Sequence, residues 1–219
     1  MSPLEAPEPT VSRLGLYLRC LRACKREGIE TISSSGIEQR TGISSGQVRK
    51  DLSYFGEFGK PGRGYAVDAL LDRLAGIMHL DVPHPMIIVG AGNLGTALAG
   101  HAGFAERGFQ VAAIFDNDPA KIGRQIAGHE IFDVARMGEI NERLRTRFGV
   151  IATPAAPAQE VANYMVQAGI KAILNFAPVR VRVPEGVVAR NVDLGQELEI
   201  LSYFASRQPG AERTGSDAR

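Results

Sequence analysis

The chain has 219 residues, enough for one large domain or two small ones at roughly 100–200 residues each. With 44% hydrophobic and 22% charged residues it has the composition of a globular protein, and no apolar run approaches the roughly 18 residues of a membrane span. The net charge of +1 hides an asymmetry: residues 13–65 carry ten Lys or Arg against five Asp or Glu, whereas residues 81–219 carry fourteen against fifteen, which points to a polyanion partner at the N-terminal end.

The opening segment, MSPLEAPEPT, has no basic stretch followed by an apolar one and is not expected to be a secretory signal. Cys20 and Cys24 are too few for a disulfide framework, which favours a reducing cytoplasm. From Val11 to about Arg26, apolar residues at Val11, Leu14, Tyr17, Leu18, Leu21 and Ala23 predict an amphipathic helix that Gly28 ends. Ser35 with Glu38 three residues on reads as a capping box for a short helix stopping near Gly42. Ser44 with Gln47 repeats the pattern and opens a third helix running to about Phe55. The next ten residues, GEFGKPGRGY at 56–65, hold four glycines and a proline and read as a tight hairpin or loop. A helix over about Val67 to Leu80 and a linker, DVPHP at 81–85, complete the first module.

Strand and helix signals then alternate. MIIVG at 86–90, VAAIF at 111–115, FGVIAT at 148–153, KAILNF at 171–176 and VVARNV at 187–192 are short strand runs separated by helical stretches, the signature of a parallel sheet covered on both faces. The closing run LGQELEILSYFAS is strongly helical, with Leu194, Leu198, Leu201 and Phe204 on one face, and a polar tail expected to be disordered follows Arg207. The expected fold class is α/β. A winged helix-turn-helix (α+β) over 1–80 is joined by the linker 81–85 to a Rossmann-type parallel sheet over 86–192, then a C-terminal helix over 193–207 and a tail over 208–219.

The candidate cofactor site is Gly90-Ala91-Gly92-Asn93-Leu94-Gly95, set between a strand and a helix. There the first glycine permits the turn, the second lets backbone approach a pyrophosphate, and the third allows close helix–strand packing. The helix N-terminus offers free N–H groups and a positive dipole end to phosphates. Asp116 follows the next strand, 21 residues after Gly95, placed to accept from ribose hydroxyls. Asn117 and Asp118 come next with no adjacent Arg, so a 2′-phosphate would meet negative charge and NAD is expected over NADP. Thr153-Pro154 and Asn175-Phe176, at the carboxyl ends of later strands, are further candidates for the ligand crevice.

Three helices followed by a Gly-rich segment make a winged helix-turn-helix plausible, with the third helix entering a major groove. A solvated helix with no specific partner fits the same pattern. The candidate DNA-contacting residues are Ser45, Gln47, Arg49, Lys50, Ser53 and Tyr54 on and beside that helix, with Lys60, Arg63 and Tyr65 in and after the Gly-rich segment. Arg can pair with guanine edges, Lys serves as a point charge on phosphate, and basic residues on a wing tip suit the narrow minor groove of A·T-rich flanks. No catalytic or metal site emerges. His79, His84, His101 and His129 belong to no ligand or triad arrangement, and Cys20 and Cys24 read as packing residues.

The string Val48-Arg49-Lys50-Asp51-Leu52-Ser53-Tyr54-Phe55-Gly56, with Gly64-Tyr65, resembles the Rex family of redox-sensing repressors. The resemblance continues through Gly90 to Gly95, Phe115-Asp116, Ile173-Leu174-Asn175-Phe176-Ala177-Pro178, Asn191-Val192-Asp193 and Leu201-Ser202-Tyr203-Phe204, covering roughly residues 10–206. It implies a homodimer with a C-terminal helix exchanged between subunits, and a winged helix on operator DNA that is released when NADH rises relative to NAD+. It also implies that Arg19 and Asp193 form an ion pair linking the modules. The chain departs from the family at His101, where relatives often carry Tyr.

A sensor is expected rather than an enzyme, since only one helix and a polar tail follow the last strand signal and leave no substrate domain. The positive nicotinamide of NAD+ costs more to bury than the neutral ring of NADH. If DNA selects one form of a dimer on a palindromic operator and NADH the other, each disfavours the other by linkage. A small NAD-dependent oxidoreductase with a helical dimerisation domain, and a nucleotide-binding interaction module, are the alternatives that fit the same residues.

Overall fold

The computed structural model describes residues 6–58 and 63–207, which fall into two compact units divided between Pro83 and His84. Lys60 and the tail over 208–219 lie outside the described residues.

In the first unit, α1 (Glu8–Arg26) places Leu14, Tyr17, Leu18, Leu21 and Cys24 on one buried stripe at three- and four-residue spacing. It begins three residues before the expected Val11, because Glu8 and Pro9 suit a helix's first turn. β1 (Thr31–Ile32) follows, then α2 (Ser34–Thr41) and α3 (Ser45–Ser53). The cap of α2 is Ser33, whose Oγ accepts from the Gly36 N–H, and not Ser35. Glu38 does not turn back to complete a box; its carboxylate accepts the Ser45 N–H at 2.9 Å and so satisfies a free donor of α3 instead. Ser44 does cap α3, accepting from the Gln47 N–H, and α3 ends at Ser53, two residues short of Phe55. β2 (Tyr65–Ala66) leads into α4 (Val67–Ile77). The middle of the Gly-rich segment, residues 59–62, where the hairpin was expected, lies outside the described residues. Its far end, β2, pairs antiparallel with β1, Ile32 opposite Tyr65.

The feature that binds this unit is Asp51, on the inner face of α3 and fully buried. Its carboxylate accepts from Arg13 Nε at 2.6 Å and Nη2 at 2.7 Å, from the Tyr17 hydroxyl at 2.7 Å, and from Gln47 Nε2 at 2.7 Å. Thr10 Oγ1 donates more weakly at 3.3 Å. Burial pushes the carboxyl upward, but the Arg13, Tyr17 and Gln47 hydrogen bonds outweigh it and hold it down to about 2.

The second unit runs β3 (His84–Val89), α5 (Asn93–Ala99), α6 (Ala102–Ala105), β4 (Phe109–Asp116), β5 (Gln125–Ile126), β6 (His129–Asp133), α7 (Met137–Leu144), β7 (Phe148–Ile151), α8 (Ala158–Gln167), β8 (Ala172–Asn175), β9 (Val188–Asn191) and α9 (Leu194–Ala205). The strand order is β5-β6-β4-β3-β7-β8-β9, parallel except for the edge strand β5. β3 begins at His84, inside the expected linker, and the β5–β6 pair was not foreseen. Alternation along β3 serves both faces: Ile87 and Val89 pack with Val161 and Met165 of α8, while Met86 and Ile88 pack with Leu98 and Phe104. Chain order reverses between β4 and β7 on either side of β3, which opens a crevice at the carboxyl ends of those strands. On α9, Leu194, Leu198, Leu201 and Phe204 are 60–67% exposed and no residue of the helix is buried within the chain.

Asp51→Ala strips the buried Tyr17 hydroxyl and the Arg13 guanidinium of their partner. It should destabilise the first unit by about 3 kcal/mol, the low end for a broken buried pair, because Arg13 is 24% exposed and can turn to water. Thermal and urea melts check this. Since the folded carboxyl lies below its ordinary 3.8, its contribution is complete above that pH and lost as pH falls toward about 2. Asp51→Asn should lack that acid-dependent step.

Candidate functional site

A cavity of about 580 Å³ opens at the crevice, lined by Gly90, Gly92, Asp116, Lys121, Ala152, Thr153, Pro154 and, at its apolar end, Val134, Val161 and Tyr164. Gly90, at φ +105°, makes the turn out of β3 in a conformation that side-chain-bearing residues avoid. A Cβ there would stand 2.6 Å from the Ala152 carbonyl oxygen, and one at Gly95 would collide with the Gly90 carbonyl. Gly92 caps α5 with open space around it, where a ligand can approach the protein backbone closely.

Asp116 ends β4 at 7% exposure. Its Oδ2 accepts the Ala91 N–H at 2.7 Å, and its Oδ1 accepts the Asp118 N–H at 2.9 Å. Lys121 Nζ lies 3.1 Å from Oδ2 and 3.8 Å from the Asp118 carboxylate. Burial pushes the Asp116 carboxyl up, yet the two backbone N–H groups and the Lys121 ammonium outweigh it and hold it below its ordinary value. Thr153, which lines the same cavity, has a buried Oγ1 with no hydrogen-bond partner in the protein, a group suited to a polar ligand atom. A glycine turn, an ionised carboxylate and an unmatched hydroxyl around one cleft suit a dinucleotide.

Of the sequence candidates, Gly90, Gly92, Asp116, Thr153 and Pro154 line the cavity. Ala91 supports it through its N–H, and Gly95 through its close approach to Gly90, while Asn93 and Leu94 open α5 beside it. Asn175 and Phe176 do not line it. Asn175 is fully buried and its side chain staples its own loop, donating to the Val179 carbonyl at 2.7 Å and Asn191 Oδ1 at 2.8 Å and accepting the Ala177 N–H at 3.0 Å. Phe176 packs against the Met86, Ile88 and Val150 cluster on the sheet's other face. Sequence reading missed Lys121, which is brought to Asp116 by a turn at 118–122 that Asp118-Pro119 begins.

On α3, Val48, Asp51 and Leu52 face inward, which turns Arg49, Lys50 and Ser53 outward. Arg49 Nη1 donates to Ser34 Oγ at 2.9 Å, and Tyr54 and Arg63 are exposed. Two of the candidates turn inward, Gln47, which is committed to Asp51, and Tyr65, buried at 9% exposure; half-buried Ser45 gives its backbone N–H to Glu38. Arg19 is exposed on α1, and Asp193 caps α9 by accepting the Gly195 and Gln196 N–H groups. Cys20 and Cys24 are buried free thiols; burial and the neighbouring Cys24 push Cys20 up to about 11, which keeps it a protonated packing group. Among the described residues no group of three or more His, Cys, Asp or Glu is placed to hold a metal, and no helix is long and apolar enough to cross a membrane.

A family model of a DNA-binding protein N-terminus matches residues 5–53, and a CoA binding domain model matches residues 81–179. The redox-sensing transcriptional repressor Rex of Pelotomaculum thermopropionicum is 49% identical, over 93% of this chain and 95% of the relative. The chain belongs to the Rex family of redox-sensing transcriptional repressors. The Rex of Carboxydothermus hydrogenoformans is 48% identical, over 94% of this chain and all of the relative. The Rex-family repressor RSP, solved with β-NAD+ and operator DNA, is 36% identical with a TM-score of 0.87, covering 91% of this chain and 92% of RSP. Solved with β-NADH, it gives a TM-score of 0.83 at 35% identity, covering 92% of this chain and 95% of RSP. The fold is thus a Rex fold, and the relatives are transcriptional repressors.

Gly95→Ala should cost about 1–3 kcal/mol in the second unit by overpacking the turn. Gly92→Ala, at φ −85° in open space, should leave the melt unchanged and instead weaken a ligand's approach. Thermal melts of the two variants side by side check the contrast.

Proposed function

We propose that this chain is a redox-sensing repressor that binds operator DNA through its first unit and NADH or NAD+ through the cleft of its second. The observation that carries this is the coexistence, in one Rex-family chain, of an outward basic face on a short helix and a dinucleotide-shaped cleft. Relatives of the same fold have been solved with operator DNA and β-NAD+ together, and with β-NADH.

In this reading Gly90 to Gly95 cradle the pyrophosphate, Asp116 accepts from the adenosine ribose, and Thr153 supplies a hydroxyl to the ligand. Arg49 and Lys50 face DNA, with Ser53, Tyr54, Lys60 and Arg63 near the backbone or an A·T-rich minor groove. The exposed apolar face of α9 supports a homodimer: a twelve-residue helix with no buried side chain gains little from its own chain, and a second copy would cover Leu198, Leu201 and Phe204. The operator would then be palindromic, matching the dimer's two-fold symmetry. Arg19 and Asp193 are proposed to couple the units. As a repressor acting on operator DNA, like its Rex relatives, the protein would work in the cytoplasm.

An apolar, closing pocket favours the neutral ring of NADH over the charged ring of NAD+, and a coupling of about 1–3 kcal/mol between DNA and NADH suffices for a useful response. Site selection from random DNA, with and without NADH, tests the whole reading. A palindrome is expected to be enriched without NADH and lost with it; recovery of the same sites at saturating NADH would refute the switch. Arg49→Ala should weaken operator binding roughly tenfold or more while leaving NADH affinity unchanged. Asp116→Ala should do the converse, as read by gel shift and NADH fluorescence.

A further inference from the structure

We propose that Lys121 is the residue that sets how this cleft discriminates dinucleotides by their ribose 2′ substituent, by neutralising Asp116 when the 2′ position is a hydroxyl and standing ready to pair with a phosphate there. The inference rests on the dinucleotide reading of the cleft and goes beyond it. Sequence spacing made the ribose end look purely acidic, with Asp116 and Asp118 and no neighbouring Arg. The structure adds a cation to it.

Lys121 is not a surface charge that happens to lie nearby. The Asp118 carboxylate accepts the Ala120 N–H at 2.9 Å, and the Asp118 carbonyl accepts the Lys121 N–H at 2.9 Å and the Ile122 N–H at 3.2 Å. That turn folds the chain back, so that the ammonium lies 3.1 Å from Asp116 Oδ2 while still 36% exposed toward the cavity. Asp116 Oδ2 therefore shares its lone pairs between Lys121 and the Ala91 N–H. A ribose with a free 2′-hydroxyl can donate to the remaining lone pairs of an ionised Asp116, and the pair stays intact. A 2′-phosphate meets two carboxylates against one ammonium and is repelled. Remove Asp116, and Lys121 keeps only the longer contact to Asp118, at 3.8 Å, and is free to turn to a phosphate at the ribose 2′ position. The acid thus rejects the phosphate, and the lysine determines how completely.

The test is direct binding of NADH and NADPH by their own fluorescence, to the full chain and without DNA. Asp116→Ser keeps a short acceptor for the Ala91 N–H. It should lose NADH affinity and gain NADPH affinity, shifting the preference by tenfold or more toward NADPH. Adding Lys121→Ala should abolish that gain, and raising salt should weaken NADPH binding in Asp116→Ser alone. In case the double variant folds poorly, Lys121→Glu, a change on a partly exposed turn, should deepen the rejection of NADPH relative to NADH. Equal NADPH binding by Asp116→Ser with and without Lys121, or an unchanged ratio in Lys121→Glu, would overturn the role of Lys121 alone. Failure of the unaltered protein to bind NADH at all would overturn the cofactor reading itself.

Discussion

A carboxylate taken out of water must either find partners for its charge or give the charge up, and Asp51 is where this constraint organises the first unit. Its carboxylate is fully buried on the inner face of a nine-residue helix and receives Arg13 and Tyr17 from α1 and Gln47 from its own helix. A helix that short has little stability of its own. Rotating α3 by one residue would leave an unpaired buried charge, an arrangement far costlier than any surface rearrangement. The orientation of Arg49 and Lys50 on the opposite face therefore follows from the chemistry of the buried face. Gln47 is turned to the same task, which removes it from the outward set.

Asp116 repeats the device in the second unit. It ends β4 beside the glycine turn that ends β3, and by accepting the Ala91 N–H it ties the two strand ends together across the crevice. The same carboxylate both shapes the turn and presents negative charge to the cleft. A change at Asp116 acts on the shape of the cleft as well as its charge, and the conserved acceptor in Asp116→Ser is what separates the two effects.

Much of this was legible in the sequence because it is written in local patterns. The parallel strands announce themselves as apolar runs, α1 as a stripe of three- and four-residue spacing, and the cofactor turn as glycines between strand and helix. What was not legible depends on partners distant in sequence. β1 and β2 are two residues each and exist only through one another across α2 and α3. Three consecutive serines at 33–35 offer equivalent caps; the extended backbone at Ser33 and the turning of Glu38 to the Ser45 N–H decide among them. Asn175 follows a strand at a site-like position, yet its amide is consumed by Val179 and Asn191. Lys121 carries no motif, because a turn rather than a spacing rule brings it to Asp116.

The two anchored carboxylates also bear on how a signal could pass from cleft to DNA. Each carboxylate is held by hydrogen bonds within its own unit, and unpairing Asp51 makes small rotations of α3 costly. On the proposed reading, a response therefore moves α3 together with the unit in which it is anchored. The groups proposed to couple the units are ones not absorbed by internal packing. Arg19 is exposed on α1, and Asp193 spends one carboxylate oxygen on the cap of α9, leaving the other for a cation. In a homodimer α9 would carry that second oxygen on the very helix whose apolar face the other copy covers. On the proposed reading, closure of the dimer and pairing of Asp193 would be one event, and a unit moving together with its anchored α3 would convert it into a change of spacing on DNA.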